Sequence, residues 1–217
     1  MRLGKVQAFR EYFNLSNLVA EVVKYALIKS IFHLKAMQWL NEPAHWSSSG
    51  NQIIVNTLPK TDFWRTTHYG FVRDNGHFYF ERVNADFVVE VEIRGTYKDL
   101  YDQAGIMIRS DEHHWIKTGM EYVDGVQNLS AVVTHNYSDW SVTPLLPPPS
   151  SLRLRVERRK EAIHISHVDA NSKYALLRLA YFPIMQEVQV GIMCASPEGD
   201  GYEVIFDNYR LIRQSAA

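Results

Sequence analysis

The sequence predicts an all-β protein, a sandwich of two antiparallel sheets with a short helix ahead of it. Three observations lead there. Ten short apolar runs follow one another between Gln52 and Leu211. Turn signals such as Asp74-Asn75-Gly76, Asp124-Gly125 and Glu198-Gly199-Asp200-Gly201 separate many of them. Within the runs, apolar and polar side chains alternate with period two, as in strands that bury one face.

Residues 1–36 read as a separate piece, ahead of a domain over 37–217. From Leu15 to Leu34, apolar residues recur at spacings of three and four, with Glu21, Lys24 and Lys29 off the stripe. That is an amphipathic helix. It is too broken by charge to span a bilayer, which needs roughly 20 mostly apolar residues, and it lacks the cleavage site of a secretory signal. Six Lys/Arg against two Glu make this piece basic (+4), leaving seventeen against twenty-two (−5) for the rest. A basic amphipathic helix suits a membrane surface or a transit role. The favoured readings are a helix packed on the domain or loosely appended to it, or a paper translation ahead of a true start at Met37.

The runs are Gln52–Thr57, Gly76–Arg82, Phe87–Arg94, Ala104–Arg109, Trp115–Tyr122, Leu129–His135, Leu152–Arg158, Ala162–His167, Val188–Cys194 and Tyr202–Leu211. Before them, Gln38–Pro43 and Trp46–Gly50 read as turn-rich. In Phe87–Arg94, Glu90, Glu92 and Arg94 alternate with apolar residues. Arg153, Arg155 and Glu157 do the same in the Leu152 run, so each strand has a wet face on which opposite charges can pair across strands. The prolines of Thr143–Ser151 place that stretch in a loop or at a sheet edge. Cys194, the single cysteine, sits in the run VQVGIMCA as a buried small hydrophobe. Absence of a disulfide framework suits a cytoplasmic address. A net charge of −1 argues against a nucleic-acid partner.

The chemistry gathers between Tyr101 and Trp140. Alternation sets Trp115, Lys117, Gly119 and Glu121 on one face, against Ile116, Thr118, Met120 and Tyr122 on the other. Glu121 is the candidate acid or base, but a nearby Lys117 favours its charged form and lowers its pKa, the wrong direction for a general acid. Glycoside hydrolysis also needs a second carboxylate at about 5–10 Å, for which Glu90, Glu92 and Asp102 are the candidates. Aromatic residues cluster nearby: Trp64, His68 and Tyr69 in TDFWRTTHYG, then Trp115, Tyr137 and Trp140, the last expected on a loop. Such rings stack on sugar faces while polar neighbours bond the hydroxyls. His113-His114, and His164 with His167, have the wrong parity to chelate on one strand face. No metal, nucleotide or serine-hydrolase motif is present, and no cofactor or metal is expected. The acidic loop Glu198–Asp200 lacks the ligand density of a calcium site.

The segments DQAGIMIR, WIKTGMEYVDG and LSAVVT…YSDWS resemble those of the uncharacterised family that includes the fungal regulation-of-enolase protein. The resemblance runs from about Met37 to Arg213. It implies a concanavalin A-like jelly roll, related to a C-terminal domain of some β-xylosidases. It also implies a concave-face ligand site at Asp102, Gln103, Arg109, Trp115, Lys117, Glu121 and Trp140, with Trp64 and His68 as further candidates. Laminarinase-type relatives carry ExDxE or ExDxxE, whereas this chain has Glu121-Tyr122-Val123-Asp124-Gly125 with no second Glu. Fold alone does not restore hydrolysis. The expectation is therefore a non-catalytic domain binding a carbohydrate or another small polar metabolite. The alternatives are a glycoside hydrolase-like enzyme using Glu121, and a protein-interaction module regulating a metabolic enzyme.

Overall fold

A computed structural model describes residues 37–169 and 171–214. The helix expected over Leu15–Leu34 lies outside the described residues. Each of the ten apolar runs forms a strand. They are β3 (Gln52–Asn56), β6 (His77–Val83), β7 (Asp86–Gly95), β8 (Gln103–Arg109), β9 (His114–Val123), β10 (Val126–His135), β12 (Leu152–Arg159), β13 (Ala162–Val168), β15 (Val188–Ala195) and β16 (Glu203–Gln214). Six further strands complete the set: β1 (Gln38–Leu40), β2 (His45–Ser49), β4 (Phe63–Arg65), β5 (Val72–Asp74), β11 (Tyr137–Pro144) and β14 (Tyr174–Tyr181). Four of these six are sheet edges, where alternation is weak because little of either face is buried, and the other two pair with each other, β4 carrying Phe63 and Trp64 into a buried cluster. No described helix is long and apolar enough to cross a membrane.

The strands build two seven-stranded antiparallel sheets. One runs β1-β6-β15-β8-β9-β10-β11 and the other β14-β13-β12-β7-β16-β3-β2, with β4-β5 as a separate pair. Even-numbered Ile106, Ile108 and Ile116 of the first sheet meet Val89, Val91, Ile93, Leu154 and Val156 of the second, all at most 3% exposed. Burying such a side chain contributes roughly 1.5–3 kcal/mol each. At one flank of the sandwich, Trp39, Trp46 and Tyr79 pack ring against ring. At the other, Arg178 of β14 reaches Ser141 and Asp139 of β11. Cys194 is buried, and burial pushes its thiol well above the ordinary range.

The wet face expected for Trp115–Tyr122 is not wet. Residues 115–121 are buried on both faces, because Asp62–Asp74 folds over the outer side of the first sheet. A second apolar cluster forms beneath it from Phe63, Trp64, Phe78, Phe80, Met107, Trp115, Val132 and Met193. Polar ties hold the cover down. The Arg65 amide donates to Ser138 Oγ at 3.0 Å, and the Arg109 guanidinium forks onto the Asp74 carboxylate at 2.6 and 2.8 Å.

Candidate functional site

Register places the site. Glu121 lies between Gln103 on β8 and Asn128 on β10; Gly119 between Gly105 and Ser130; Lys117 between Met107 and Val132, with Trp140 of β11 next in that row. These odd positions of β8 and β9 point outward, away from the second sheet. Gly119 faces Gly105 in a close approach that side chains would forbid: a Cβ on Gly119 would meet the Ala104 carbonyl oxygen at 2.0 Å. The missing side chains leave a dip between Lys117 and Glu121, floored also by Gln103 and Ser130.

Above this floor opens a cleft of about 480 Å³, part of it continuous with solvent. Trp64, Tyr69, Phe71, Tyr101 and Trp140 supply aromatic walls, and Arg73, Pro197 and Glu198 stand at the rim. Asp62, from the covering segment, receives the Lys117 ammonium at 3.2 Å, the Gln103 amide at 3.4 Å and the Phe63 backbone N–H at 2.7 Å, all on Oδ1. Glu121 Oε2 accepts the Trp140 indole N–H at 2.8 Å. Trp140 in turn stands edge-on to Tyr101, whose hydroxyl lies 3.0 Å from that of Tyr69. Tyr101 holds a left-handed backbone (φ 68°), a conformation that costs a bulky residue about 1–3 kcal/mol unless its surroundings fix it. Its N–H bond to the Tyr122 carbonyl, 2.7 Å, helps fix it.

The sign expected for Glu121 is reversed. Burial raises its pKa and outweighs the opposing Lys117 charge and the hydrogen bonds from Ser130 and Trp140, while the Asp62 charge adds to the rise. At four residues' separation along a strand, Lys117 spends its charge on Asp62 instead. Desolvation of the carboxylate decides the outcome.

Of the residues expected in the site, Gln103, Lys117, Glu121, Trp140 and Trp64 line the cleft, and Trp140 does so from a strand rather than a loop. Asp102, Arg109, Trp115 and His68 are not among the lining residues. Asp102 is wholly buried, and its carboxylate accepts the Lys98 and Asp99 N–H groups and the Ser196 hydroxyl, tying loops together. Arg109 is committed to Asp74. Trp115 is fully buried in the cluster under the covering segment, on the same sheet face as Lys117, whose ammonium lies 5.8 Å from its ring centroid. His68 packs edge-on against Tyr69 from a left-handed turn (φ 64°). Glu90 and Glu92 sit on the other sheet. The second carboxylate near Glu121 is Asp62, from the covering segment.

The sequence profile described as "Protein of unknown function (DUF1349)" matches residues 39–214. This chain belongs to the DUF1349 family. "Regulation of enolase protein 1" of Saccharomyces cerevisiae is 40% identical over 173 residues, covering 80% of this chain and 87% of that protein. A crystal structure described as a functionally unknown protein from Saccharomyces cerevisiae superposes with a TM-score of 0.80 at 38% identity, covering 84% of this chain and 99% of that one. The GH43 protein BlXynB (K247S mutant) of Bacillus licheniformis shares the fold alone: TM-score 0.67 and 14% identity, covering 82% of this chain and 37% of that one.

In this DUF1349 chain, reading the strands missed Asp62, Tyr101, Phe71, Arg73 and Pro197 as site residues. Asp62 and Phe71 flank or end the aromatic segment TDFWRTTHYG, and Tyr101 precedes the DQAGIMIR motif. A carboxylate beside a run of aromatics was the available signal. Glu198, weighed for calcium, instead pairs with Arg73 at 3.6 Å.

Proposed function

We propose that the cleft binds a carbohydrate or another small polar metabolite, and that this DUF1349 domain acts by binding rather than turnover. The observation that carries this is the combination of five aromatic walls with a buried polar floor of Asp62, Gln103, Lys117 and Glu121. Apolar ring faces and a few convergent polar groups are what a sugar-sized ligand requires. A cytoplasmic address belongs to the same proposal, supported by a lone buried thiol that needs no oxidising compartment. The test is a thermal-shift screen of the full chain against sugars, sugar acids and phosphorylated metabolites, repeated with Glu121→Gln. A ligand at 100 times its Kd adds roughly 2.7 kcal/mol of stability. The expected result is a hit that the variant, still folded, weakens or loses; a hit unaffected by the variant would sink the assignment of the site.

A second reading is a glycoside hydrolase-like enzyme. The raised pKa of Glu121 supports it, because a protonated carboxyl beside a second carboxylate is the arrangement that separates acid from base. Asp62 argues against it, since one of its oxygens is already filled by three donors. Release of aryl leaving groups from aryl glycosides, abolished by Glu121→Gln, would establish turnover. The yeast relative's name supports a protein partner, a metabolic enzyme that the domain regulates. Titration of purified enolase with the full chain, read by sedimentation, tests that use; an unchanged enolase boundary removes enolase as the partner.

A further inference from the structure

The polar floor of the cleft is unevenly satisfied. The cleft's two cations, one in the floor and one at the rim, are each paired with a carboxylate. The Lys117 ammonium, on a side chain 5% exposed, is paired with Asp62. Arg73 pairs with Glu198, donates to the Pro197 carbonyl at 3.2 Å and lies over the Phe71 ring at 4.6 Å. Its acceptors are in the opposite condition. Three donors converge on Asp62 Oδ1, while among the described residues none reaches Oδ2. The Gln103 amide donates through Nε2 to Asp62 and to the Tyr101 carbonyl, and no described donor reaches its Oε1. Asp62 and Gln103 are 7% and 4% exposed. A carboxylate has about four acceptor positions, so Asp62 and Gln103 both keep acceptor capacity open to a ligand's donors.

To reach the Lys117 ammonium, an anionic ligand would have to displace Asp62 and leave its carboxylate buried beside the incoming charge. Separating a buried pair in this way is strongly unfavourable. An ammonium bonding Asp62 Oδ2 would share that one carboxylate with Lys117, setting two positive charges on a single partner. Hydroxyl groups have neither difficulty: they donate to Asp62 Oδ2 and Gln103 Oε1, and their C–H faces meet Trp64, Trp140 and the tyrosines. Three carboxylates and two cations line the cleft. Burial shifts the Glu121 carboxyl toward its neutral form.

We infer that the ligand is an uncharged polyhydroxylated ring, a neutral sugar unit or cyclic polyol, held by donation of its hydroxyls to Asp62 and Gln103, and that phosphorylated, carboxylated and amino counterparts are selected against. This rests on the cleft being a ligand site. Unlike that broader proposal, it assigns the charge of the ligand and the direction of its hydrogen bonds.

The experiment is titration calorimetry of the full chain with matched sets, each comprising a neutral pentose, hexose or inositol with its phosphate, its uronic acid and its amino analogue where these exist. Tryptophan fluorescence follows the same titrations, because Trp64 and Trp140 stand in the walls. The neutral member of the binding set is expected to bind at least ~10-fold more tightly than its charged counterparts. Glu198→Gln, at the exposed rim, frees Arg73 and is expected to improve the phosphate or uronate several-fold relative to the neutral member. Asp62→Asn frees Lys117 and shifts the preference further the same way; circular dichroism checks that it folds. A charged counterpart that binds the native chain as tightly as the neutral member, or more tightly, overturns the neutral-ligand inference and leaves the cleft standing as a site. Failure of every member to bind overturns both.

Discussion

Glu121 and Glu90 occupy the same kind of position, the outer face of a central strand, and are exposed to nearly the same extent, 6% and 7%. Their surroundings differ. Glu90 accepts from Arg155 at 3.1 Å, from the Tyr174 hydroxyl at 2.8 Å and from Arg210 at 2.6 Å. Burial pushes its pKa up, but Arg210, Tyr174 and Arg155 together bring it below the ordinary value. Glu121 has an indole and a hydroxyl for neighbours and no cation of its own, so burial wins and its pKa rises. One sheet face is a closed lattice of compensated charge; the other is a covered hollow in which a charge is left short of partners. The second arrangement costs stability and leaves polar groups facing an open cleft.

Four substitutions break or sharpen that contrast. The largest effect is expected from Gly119→Ala, whose methyl would drive into the Ala104 carbonyl and part β8 from β9. A loss of about 3 kcal/mol is expected in urea denaturation, together with loss of the floor. Glu90→Gln is next: it removes the charge from a lattice whose arginines are partly exposed, Arg155 at 34% and Arg210 at 61%. It should cost about 1–2 kcal/mol at neutral pH. Because the folded pKa of Glu90 is depressed, its contribution is present above the unfolded carboxylate pKa and is lost as pH falls through the folded one. The gap between Glu90→Gln and the native chain should therefore close on acidification; a constant gap across pH would mean that packing, not charge, holds this face.

Trp140→Phe removes the indole donor from Glu121 at the cost of one hydrogen bond, about 1 kcal/mol, and should raise the Glu121 pKa further. Carboxyl-resolved NMR titration reads that rise; an unchanged midpoint would show that the indole contact is electrostatically idle. The smallest effect at neutral pH belongs to Glu121→Gln, which keeps an acceptor for Trp140, and it has the opposite pH dependence. With a raised folded pKa, the stability linked to Glu121 is fully present below the unfolded carboxylate pKa and is lost as pH rises through the folded one. The variant should thus match the native chain in acid and become the more stable of the two as pH rises. A difference that widened toward low pH would contradict the burial-driven shift.

Much of this was legible in the chain itself. Alternation marked ten strands because their inner residues must be apolar, and the Lys117-Gly119-Glu121 pattern marked the floor because a strand sends alternate residues to one face. The edges escaped notice. Tyr174–Tyr181 exposes Leu176, Leu179 and Tyr181 at 59–62%, so no burial pattern distinguishes its faces. Asp62 escaped for another reason: it lies 55 positions before Lys117, and partnership across that distance depends on a fold-back that no local period records. The sign of the Glu121 shift was hidden for the same cause, since the segment that dries the carboxylate is the one that brings Asp62 to take up Lys117. Asp102, Arg109 and Trp115 were expected in the site alongside Glu121, yet they tie loops together, hold the cover and pack beneath it. A motif can mark the supports of a site along with its contacts.

The hydroxyls of Tyr69 and Tyr101, 3.0 Å apart at the cleft's edge, join the covering segment to the chain leading into β8. Both rings line the cleft, and Tyr69 is 43% exposed, so under the proposed binding role this bond is expected to open as a guest passes. Its rupture adds to the barrier for arrival and departure alike and leaves the bound and free states equally furnished. Residence time and affinity are thereby uncoupled: Tyr69→Phe should shorten both the wait to bind and the wait to leave by a similar factor, with the equilibrium nearly unmoved.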